Sequence, residues 1–237
     1  MFKALNVLCV DTSTEACSVA VLHQTKNDKI VNDIFMFAPR EHTQKILPAV
    51  KDILEKAALS LPEIDVVAYG RGPGSFTGVR VGISIAQGLA YGIEKPMVGV
   101  STLQAMAQEA YIKLKFTDVY AAIDARMGEV YFAHYQLDDN LMTLVGEEVV
   151  IKPADLLALE MDVKEHAVLV GTGWDTYPEL ITHFKGTIKL DINLPSSKYM
   201  LDQVVHCVEN DATVNPELAT PVYLRDKVTW KKLPGRE

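Results

Sequence analysis

A glycine-rich segment at residues 70–78 is the part of the chain whose residue types and spacing are most specific for chemistry. It reads Gly-Arg-Gly-Pro-Gly-Ser-Phe-Thr-Gly and joins an apolar run at residues 66–70 to a long apolar stretch from Val79. Glycines allow unusual backbone conformations, and a helix that follows such a turn offers free N–H groups to an anion. The lysine of a P-loop and the spacing of a dinucleotide fingerprint are both missing. The segment therefore predicts either an anion cradle or a close packing of two backbones.

Ser75, Thr77 and His42 are the residues that nucleophilic catalysis could use. Backbone N–H groups at a helix start can stabilise an oxyanion beside a serine or threonine hydroxyl. The same residue types cap helices far more often, and a single histidine near a helix start usually caps or packs. We therefore favour structural roles for all three residues over a catalytic one.

The composition of the chain argues against nucleic acids and membranes as direct binding partners. The chain has 237 residues, a net charge of −8 and an isoelectric point near 5.3, which disfavours direct binding to nucleic acid. A basic tail around Trp230 is the one exception, and such tails are usually solvated. The apolar run at residues 81–93 is shorter than the roughly 20 residues that a membrane span needs, and no signal peptide is recognisable. We expect a cytoplasmic protein with no membrane partner.

Cysteines and histidines give no sign of a metal site. Cys9, Cys17 and Cys207 show no ligand spacing, so we expect free thiols. The six histidines are scattered singly, without a pair four residues apart. We therefore expect no bound metal.

The hydrophobic pattern predicts the same order of elements twice along the chain. The first series has strands at residues 7–10, 17–22, 30–38, 66–70 and 97–100, with helices at 43–58, 79–93 and 102–111. The second series has strands at residues 119–124, 129–137, 144–150 and 167–170, a glycine turn at 171–173, and helices at 153–159 and 174–184. Such duplication predicts two related domains.

This order resembles one half of the actin-like ATPase superfamily, in which a hairpin such as Asp11-Thr12-Ser13-Thr14 joins the first two strands. The resemblance implies an α/β fold of two tandem actin-like (ASKHA, ribonuclease H-like) half-domains, with mixed sheets flanked by helices. We place the domains at residues 1–110 and 111–237. We expect the C-terminal segment to return to the first domain.

Four motifs narrow the resemblance to the TsaB (YeaZ) family, which is related to the TsaD transferases: residues 10–14 (VDTST), 41–42 (EH), 70–80 (GRGPGSFTGVR) and 124–131 (DARxGEVY). The resemblance spans nearly the whole chain. It implies work with TsaD and TsaE in transferring threonylcarbamoyl to N6 of the adenosine beside the anticodon, in tRNAs that read codons starting with adenine. The implied role is to support TsaD, and tRNA would be met only through the complex.

A comparison with TsaD-like proteins bears on catalysis. Those proteins carry two metal-binding histidines after the strand that corresponds to residues 97–100. Here Thr102 and Met106 stand at the paired positions, and neither is a good ligand for a hard or borderline cation. We therefore expect a non-catalytic protein. The alternative is a stand-alone enzyme of the ATP-dependent or peptidase type.

Actin-like folds hold nucleotide between their halves, so the resemblance also implies a set of cleft residues. They are Asp11, Thr12, Ser13, Arg71, Gly72, Gly74, Ser75, Asp124 and Arg126. Asp124 and Arg126 could instead set a hairpin turn. No constellation for phosphoryl transfer stands out. We expect no cofactor of its own, and ATP or ADP at a site shared within the complex.

Two helices are expected to bind the partner. In the second helix Gly78, Gly82, Ala86 and Ala90 share one face, and Ser84, Gly88 and Gly92 share another. The expected contact residues are His42, Ile46, Val50, Gly78, Gly82, Ile85, Ala86, Leu89 and Ala90. The resemblance implies pairing with TsaD, or a homodimer without it. Gly82→Leu or Ala86→Leu should then block binding while the monomer stays folded.

Overall fold

Alternating and continuous apolar runs in the first part of the chain form a buried sheet. The computed structural model describes residues 4–161, 163, 164 and 166–225, so the basic tail beyond Arg225 lies outside the described residues. The elements of this part are β1 (Leu5–Asp11), β2 (Ala16–Gln24), β3 (Lys29–Phe37), α1 (His42–Lys56), β4 (Val66–Gly72), α2 (Phe76–Gly92), β5 (Met97–Ser101) and α3 (Thr102–Leu114).

The first sheet has the strand order β3-β2-β1-β4-β5. Strand β2 is antiparallel to β1 and β3, whereas β4 and β5 run parallel to β1. Side chains alternate across β1 because of the pleat. Leu8 and Val10 join the core beneath α1 and α2, and Val7 and Cys9 join a second core on the opposite face.

The second part of the chain repeats this arrangement. Its elements are β6 (Asp118–Arg126), β7 (Glu129–Asp138), β8 (Leu141–Ile151), α4 (Pro153–Leu157), β9 (Val168–Val170), α5 (Gly173–Thr176), α6 (Glu179–His183), β10 (Ile188–Lys189) and α7 (Leu201–Glu209). Read from its other edge, the second sheet has the order β8-β7-β6-β9-β10, with β7 antiparallel to both neighbours and β9 parallel to β6. The predicted fold class, two tandem actin-like halves, is therefore confirmed.

One predicted element is wrong. The single helix expected at residues 174–184 is two short helices, α5 and α6, which are interrupted at Tyr177 and Pro178. The ring of a proline disfavours helical geometry in the residue before it, and Tyr177 accordingly has φ −128° and ψ 71°. Strand β10 and helix α7 were not predicted. A two-residue strand leaves no periodic pattern, whereas the apolar residues Leu201, Val204, Val205 and Val208 do follow helical spacing and could have revealed α7.

After β10 the chain runs back to the first sheet. Helix α7 contacts β1 and β5, and Val214 pairs with Met97 of β5 through hydrogen bonds in both directions. We call residues 210–225 the C-terminal strap. Further along the strap, the Val222 N–H donates to the Arg71 carbonyl at 2.9 Å. Among the described helices, none combines the length and apolar character that a membrane span requires.

Candidate functional site

The glycine-rich turn after β4 is held against the turn between β1 and β2. The Ser75 N–H donates to the Ser13 carbonyl at 2.7 Å. A Cβ atom at Gly74 would lie 2.2 Å from the Ser13 carbonyl oxygen, and one at Gly78 would lie 2.2 Å from that of Thr12. These distances leave no room for any side chain. Of the two alternatives for this turn, the structure supports close packing of two backbones.

Two of the three residues considered for nucleophilic catalysis, Ser75 and His42, have structural partners, whereas Thr77 is exposed. Ser75 is the N-cap of α2, and its Oγ accepts a hydrogen bond from the Gly78 N–H at 3.3 Å. His42 Nε2 donates to the Ala16 carbonyl at 3.1 Å. These contacts tie α2 and α1 to neighbouring backbone, as caps and packing residues do.

Asp11 lies beneath the glycine turn, fully buried. Its Oδ1 accepts hydrogen bonds from the N–H and the hydroxyl of Ser13, at 3.1 and 2.9 Å. Burial raises the pKa of Asp11 from 3.8 to about 6, although the bonds from Ser13 act in the opposite direction. The carboxylate therefore does not face the cleft in this structure, and its predicted cleft role is corrected.

A cleft of about 1140 Å³ lies between the two halves. Five of the predicted cleft residues line it: Ser13, Gly74, Ser75, Asp124 and Arg126. The other four, Asp11, Thr12, Arg71 and Gly72, are not part of its lining. Thr12 is buried, and its hydroxyl donates to the Gly78 carbonyl at 2.7 Å. The cleft thus lacks the innermost polar residues that the resemblance implied.

Two arginines form ion pairs at the mouth of the cleft. Arg126 pairs with Asp124 at 3.1 Å and reaches across to Glu15 in the first half at 2.9 Å. Asp124 Oδ1 also accepts the Arg126 N–H at 2.9 Å, so the two residues form an ion pair and also a backbone contact within the β6–β7 turn. In the strap, Arg225 Nε donates to Glu129 at 2.9 Å.

The β6–β7 turn that these arginines hold is strained. Arg126 has φ +62° and Met127 φ +58°, a region that residues other than glycine seldom adopt. The sequence pattern singled out this turn but did not reveal that Glu15 and Arg225 would reach it. Each of these contacts joins residues about a hundred positions apart, a separation that no local pattern encodes.

Arg71, which we expected in the cleft, joins the two halves instead. Its guanidinium donates to Glu148 of β8 at 3.1 Å. The Tyr135 hydroxyl donates to the same carboxylate at 2.7 Å and lies 3.3 Å from Ser101 Oγ. Burial, followed by the neighbouring Glu148 charge, raises the pKa of Tyr135 well above its usual value. This network fixes the end of β4 against the second sheet.

The positions that correspond to a metal-binding pair are closed. Thr102 and Met106 are fully buried in α3, and the Thr102 hydroxyl donates to the Pro73 carbonyl. Within the described ranges there is no group of three or more histidine, cysteine, aspartate or glutamate residues that could hold a metal ion.

The predicted partner-binding set needs correction. Gly78, Gly82, Ala86 and Ala90 are buried on the side of α2 that packs on the chain's own sheet, and Ile46 and Val50 are buried beneath α1. A Cβ at Gly82 would lie 2.8 Å from Thr12 Oγ1. These six residues form internal core, so the prediction that they line an exposed interface is wrong. His42, Ile85 and Leu89 are partly exposed.

Sequence comparisons identify the family. Residues 36–229 match the family model described as TsaD, tRNA N6-adenosine threonylcarbamoyltransferase. The Escherichia coli (strain K12) tRNA threonylcarbamoyladenosine biosynthesis protein TsaB is 51% identical over 236 residues, which cover 98% of this chain and 100% of that protein. The chain belongs to the TsaB family. The Haemophilus influenzae TsaB protein is 43% identical over 244 residues, covering 98% of this chain and 99% of that one.

Solved structures agree with the TsaB assignment. YeaZ from Pseudomonas aeruginosa is 38% identical, with a TM-score of 0.84 over 93% of this chain and 100% of that one. A second Pseudomonas aeruginosa structure, described as an uncharacterized protein with similarity to peptidase YEAZ, is 39% identical with a TM-score of 0.85 over the same shares. The motifs on which the resemblance was based therefore identified the family correctly.

The exposed side of α2 in this TsaB-family chain carries the second set of small residues that share a helix face. Ser84, Gly88 and Gly92 are exposed, and a Cβ at Gly88 or Gly92 would meet no atom within 4 Å. Tyr91 on the same helix and Leu47 on α1 are exposed large side chains. Small residues four apart let a second helix approach closely. This side of α2, together with the exposed side of α1, is called the α1/α2 outer face below.

Proposed function

We propose that the chain is a non-catalytic subunit in the biosynthesis of threonylcarbamoyladenosine in tRNA, acting with TsaD and TsaE in the cytoplasm. The transfer reaches N6 of the adenosine beside the anticodon, in tRNAs that read codons starting with adenine. The observation that carries the non-catalytic role is the burial of Thr102 and Met106 at the positions where the related transferases have metal-binding histidines. Because these two side chains are buried and are poor ligands, they would not hold a metal ion where a substrate could reach it.

The α1/α2 outer face is the proposed surface for TsaD. Its support is the combination of small exposed residues on α2 with the exposed side chains of Tyr91 and Leu47. Two helices from TsaD would pack against it as a four-helix arrangement. Without TsaD the same face would pair two copies of this chain, because an exposed apolar helix surface tends to be covered.

We place any nucleotide at a site shared with the partner, and tRNA on the complex as a whole. Asp11, the carboxylate that the resemblance implied would face metal and phosphates, is buried away from the cleft. The net charge of −8 opposes direct binding to the phosphate backbone of RNA. The chain itself would therefore contribute structure to the complex rather than a cofactor.

A reconstitution tests this function. Purified TsaD and TsaE are incubated with tRNA, threonylcarbamoyl-adenylate and ATP, with and without this protein, and modified adenosine is measured by mass spectrometry. We expect product only when the protein is present with TsaD, and none from the protein alone. Turnover by the protein alone would overturn the non-catalytic role in favour of the stand-alone enzyme. Equal product with and without the protein would overturn the accessory role.

A further inference from the structure

The mouth of the interdomain cleft gathers exposed aromatic side chains that the proposed function does not use. Phe37 ends β3, Phe76 begins α2 and Tyr223 lies in the strap; they are 69%, 59% and 47% exposed, and all three line the cleft. Phe76 and Tyr223 have ring centroids 6.1 Å apart. Large apolar side chains that converge on one concave place are typical of a ligand site.

Arg80 places a positive charge beside two of these aromatic side chains, Phe76 and Tyr223. Its Cζ lies 3.3 Å from the centroid of the Phe76 ring and 5.2 Å from that of Tyr223. Stacking on a ring fixes the plane of a guanidinium and leaves the N–H groups at its edge available for an acid. Within the part of the chain that the structure describes, the Arg80 guanidinium forms no ion pair and no hydrogen bond.

The other charged groups of the cleft are already paired. Arg126 is bound by Glu15 and Asp124, and Arg225 is bound by Glu129. The remaining carboxylate of the lining, Asp175, pairs with Lys189 at 2.9 Å. A polyphosphate would therefore lie beside three carboxylates, which would repel it. Among the described residues that line the cleft, Arg80 is the one unpaired cation, so this lining is complementary to a single negative charge.

The cleft is also large enough for an organic molecule. Its volume of about 1140 Å³ exceeds the roughly 300–1,000 Å³ of typical small-molecule sites. We infer that the cleft binds a small molecule with a flat aromatic ring and one acidic group, with the ring against Phe76 and Tyr223 and the acid on Arg80. Because this binding needs no other protein, it does not depend on the proposed function.

Two fluorescent probes of similar shape test the site on the isolated full-length protein. Anilinonaphthalene sulfonate carries a ring system and one negative charge, whereas N-phenylnaphthylamine is neutral. We expect the sulfonate to bind with one-to-one stoichiometry. Arg80→Gln should weaken its affinity about tenfold, as for the loss of one charge-assisted hydrogen bond, and leave the neutral probe unchanged. Tyr223→Ala should weaken both probes.

Phe35→Ala is the matched control, since Phe35 is an exposed aromatic residue on the same strand as Phe37 and lies outside the lining of the cleft. We expect this variant to bind both probes as the unmodified protein does. Equal affinity of the sulfonate for the unmodified protein and Arg80→Gln would overturn the inference. So would non-saturable binding, or a loss of binding in Phe35→Ala, because either result would show that the probes bind a general apolar surface.

Discussion

Gly78 and Thr12 are in close contact at the start of α2, where the Thr12 hydroxyl donates a hydrogen bond to the Gly78 carbonyl at 2.7 Å. A Cβ atom at Gly78 would lie 2.2 Å from the Thr12 carbonyl oxygen. The obstacle is backbone, which cannot rotate away as a side chain can. Gly78→Ala should therefore lower the free energy of unfolding by about 1–3 kcal/mol, the range for overpacking. Urea denaturation followed by circular dichroism measures this change.

Gly88 on the same helix is the control for this first prediction. A Cβ there meets no atom within 4 Å, so Gly88→Ala should raise the free energy of unfolding by about 0.5–1 kcal/mol through helix propensity. An unchanged denaturation midpoint for Gly78→Ala would show that α2 can move away from β1 without lowering the free energy of unfolding.

The two sides of α2 give a second prediction, about partner binding. Gly88→Leu adds a bulky side chain to the α1/α2 outer face, where the monomer has open space, so the protein should fold normally and lose binding to TsaD. Light scattering of mixtures with TsaD would measure the loss of the heterodimer. Retention of the heterodimer by Gly88→Leu would place the interface elsewhere.

Gly82→Leu is the matched variant for the inner side of α2. A Cβ at Gly82 would lie 2.8 Å from Thr12 Oγ1, so this variant should unfold at lower urea than the unmodified protein. This outcome replaces our earlier expectation that Gly82→Leu would leave a folded monomer. If Gly82→Leu instead folds normally and fails to bind TsaD, the face formed by Gly78, Gly82, Ala86 and Ala90 would bind the partner, as the sequence analysis predicted.

The element order could be predicted from the sequence because it depends on local patterns. Alternating apolar residues and glycine turns located the five strands of the first sheet and four of the five strands of the second, and their repetition predicted the two halves. The side on which α2 meets the sheet could not be predicted in this way. Both stripes of that helix consist of small residues, so periodicity shows which residues share a face but not which face is buried.

The candidate site was predicted only in part, for a related reason. Asp11 and Asp124 both follow apolar strands, yet only Asp124 lines the cleft. Asp11 is covered because the glycine turn packs on the Thr12 and Ser13 carbonyls, a contact between segments about 60 residues apart. The aromatic residues and Arg80 of the cleft mouth were missed, since three separate segments bring them together.

The buried carboxyl of Asp11 gives a third prediction, on pH. Its pKa of about 6 in the folded protein exceeds the ordinary value of 3.8, so the folded state holds a proton that the unfolded state has lost between those values. Stability should therefore fall as pH rises from about 4 to 6, by at most about 3 kcal/mol, and stay lower above that window.

Asp11→Asn isolates this effect. The amide keeps an oxygen that can accept from the Ser13 N–H but cannot ionise, so its free energy of unfolding should lack this component of the pH dependence. Urea denaturation of both proteins at pH 4.5 and pH 7.5 measures the difference between them, which should grow in favour of Asp11→Asn at the higher pH (about 1–3 kcal/mol). An identical pH dependence in both proteins would show that Asp11 titrates in an ordinary range.

Arg71 and Glu148 give the fourth prediction, on the junction between the halves. The Glu148 side chain is only 4% exposed, so Arg71→Met would leave a buried carboxylate with the Tyr135 hydroxyl as its remaining partner. We expect a loss of about 3–5 kcal/mol in the free energy of unfolding. The exposed pair Lys51–Glu55 is the control, and Lys51→Met should change stability by less than about 0.5 kcal/mol.

The double variant Arg71→Met with Glu148→Gln separates the cost of an unpaired charge from the value of the ion pair. Because the glutamine is neutral, the double variant should recover most of the stability that Arg71→Met loses, and a double-mutant cycle gives the coupling between the two positions. If the double variant is as unstable as Arg71→Met, the loss comes from the packing of the Arg71 side chain between β4 and β8. In that case the guanidinium holds the two halves together by its contacts rather than by its charge.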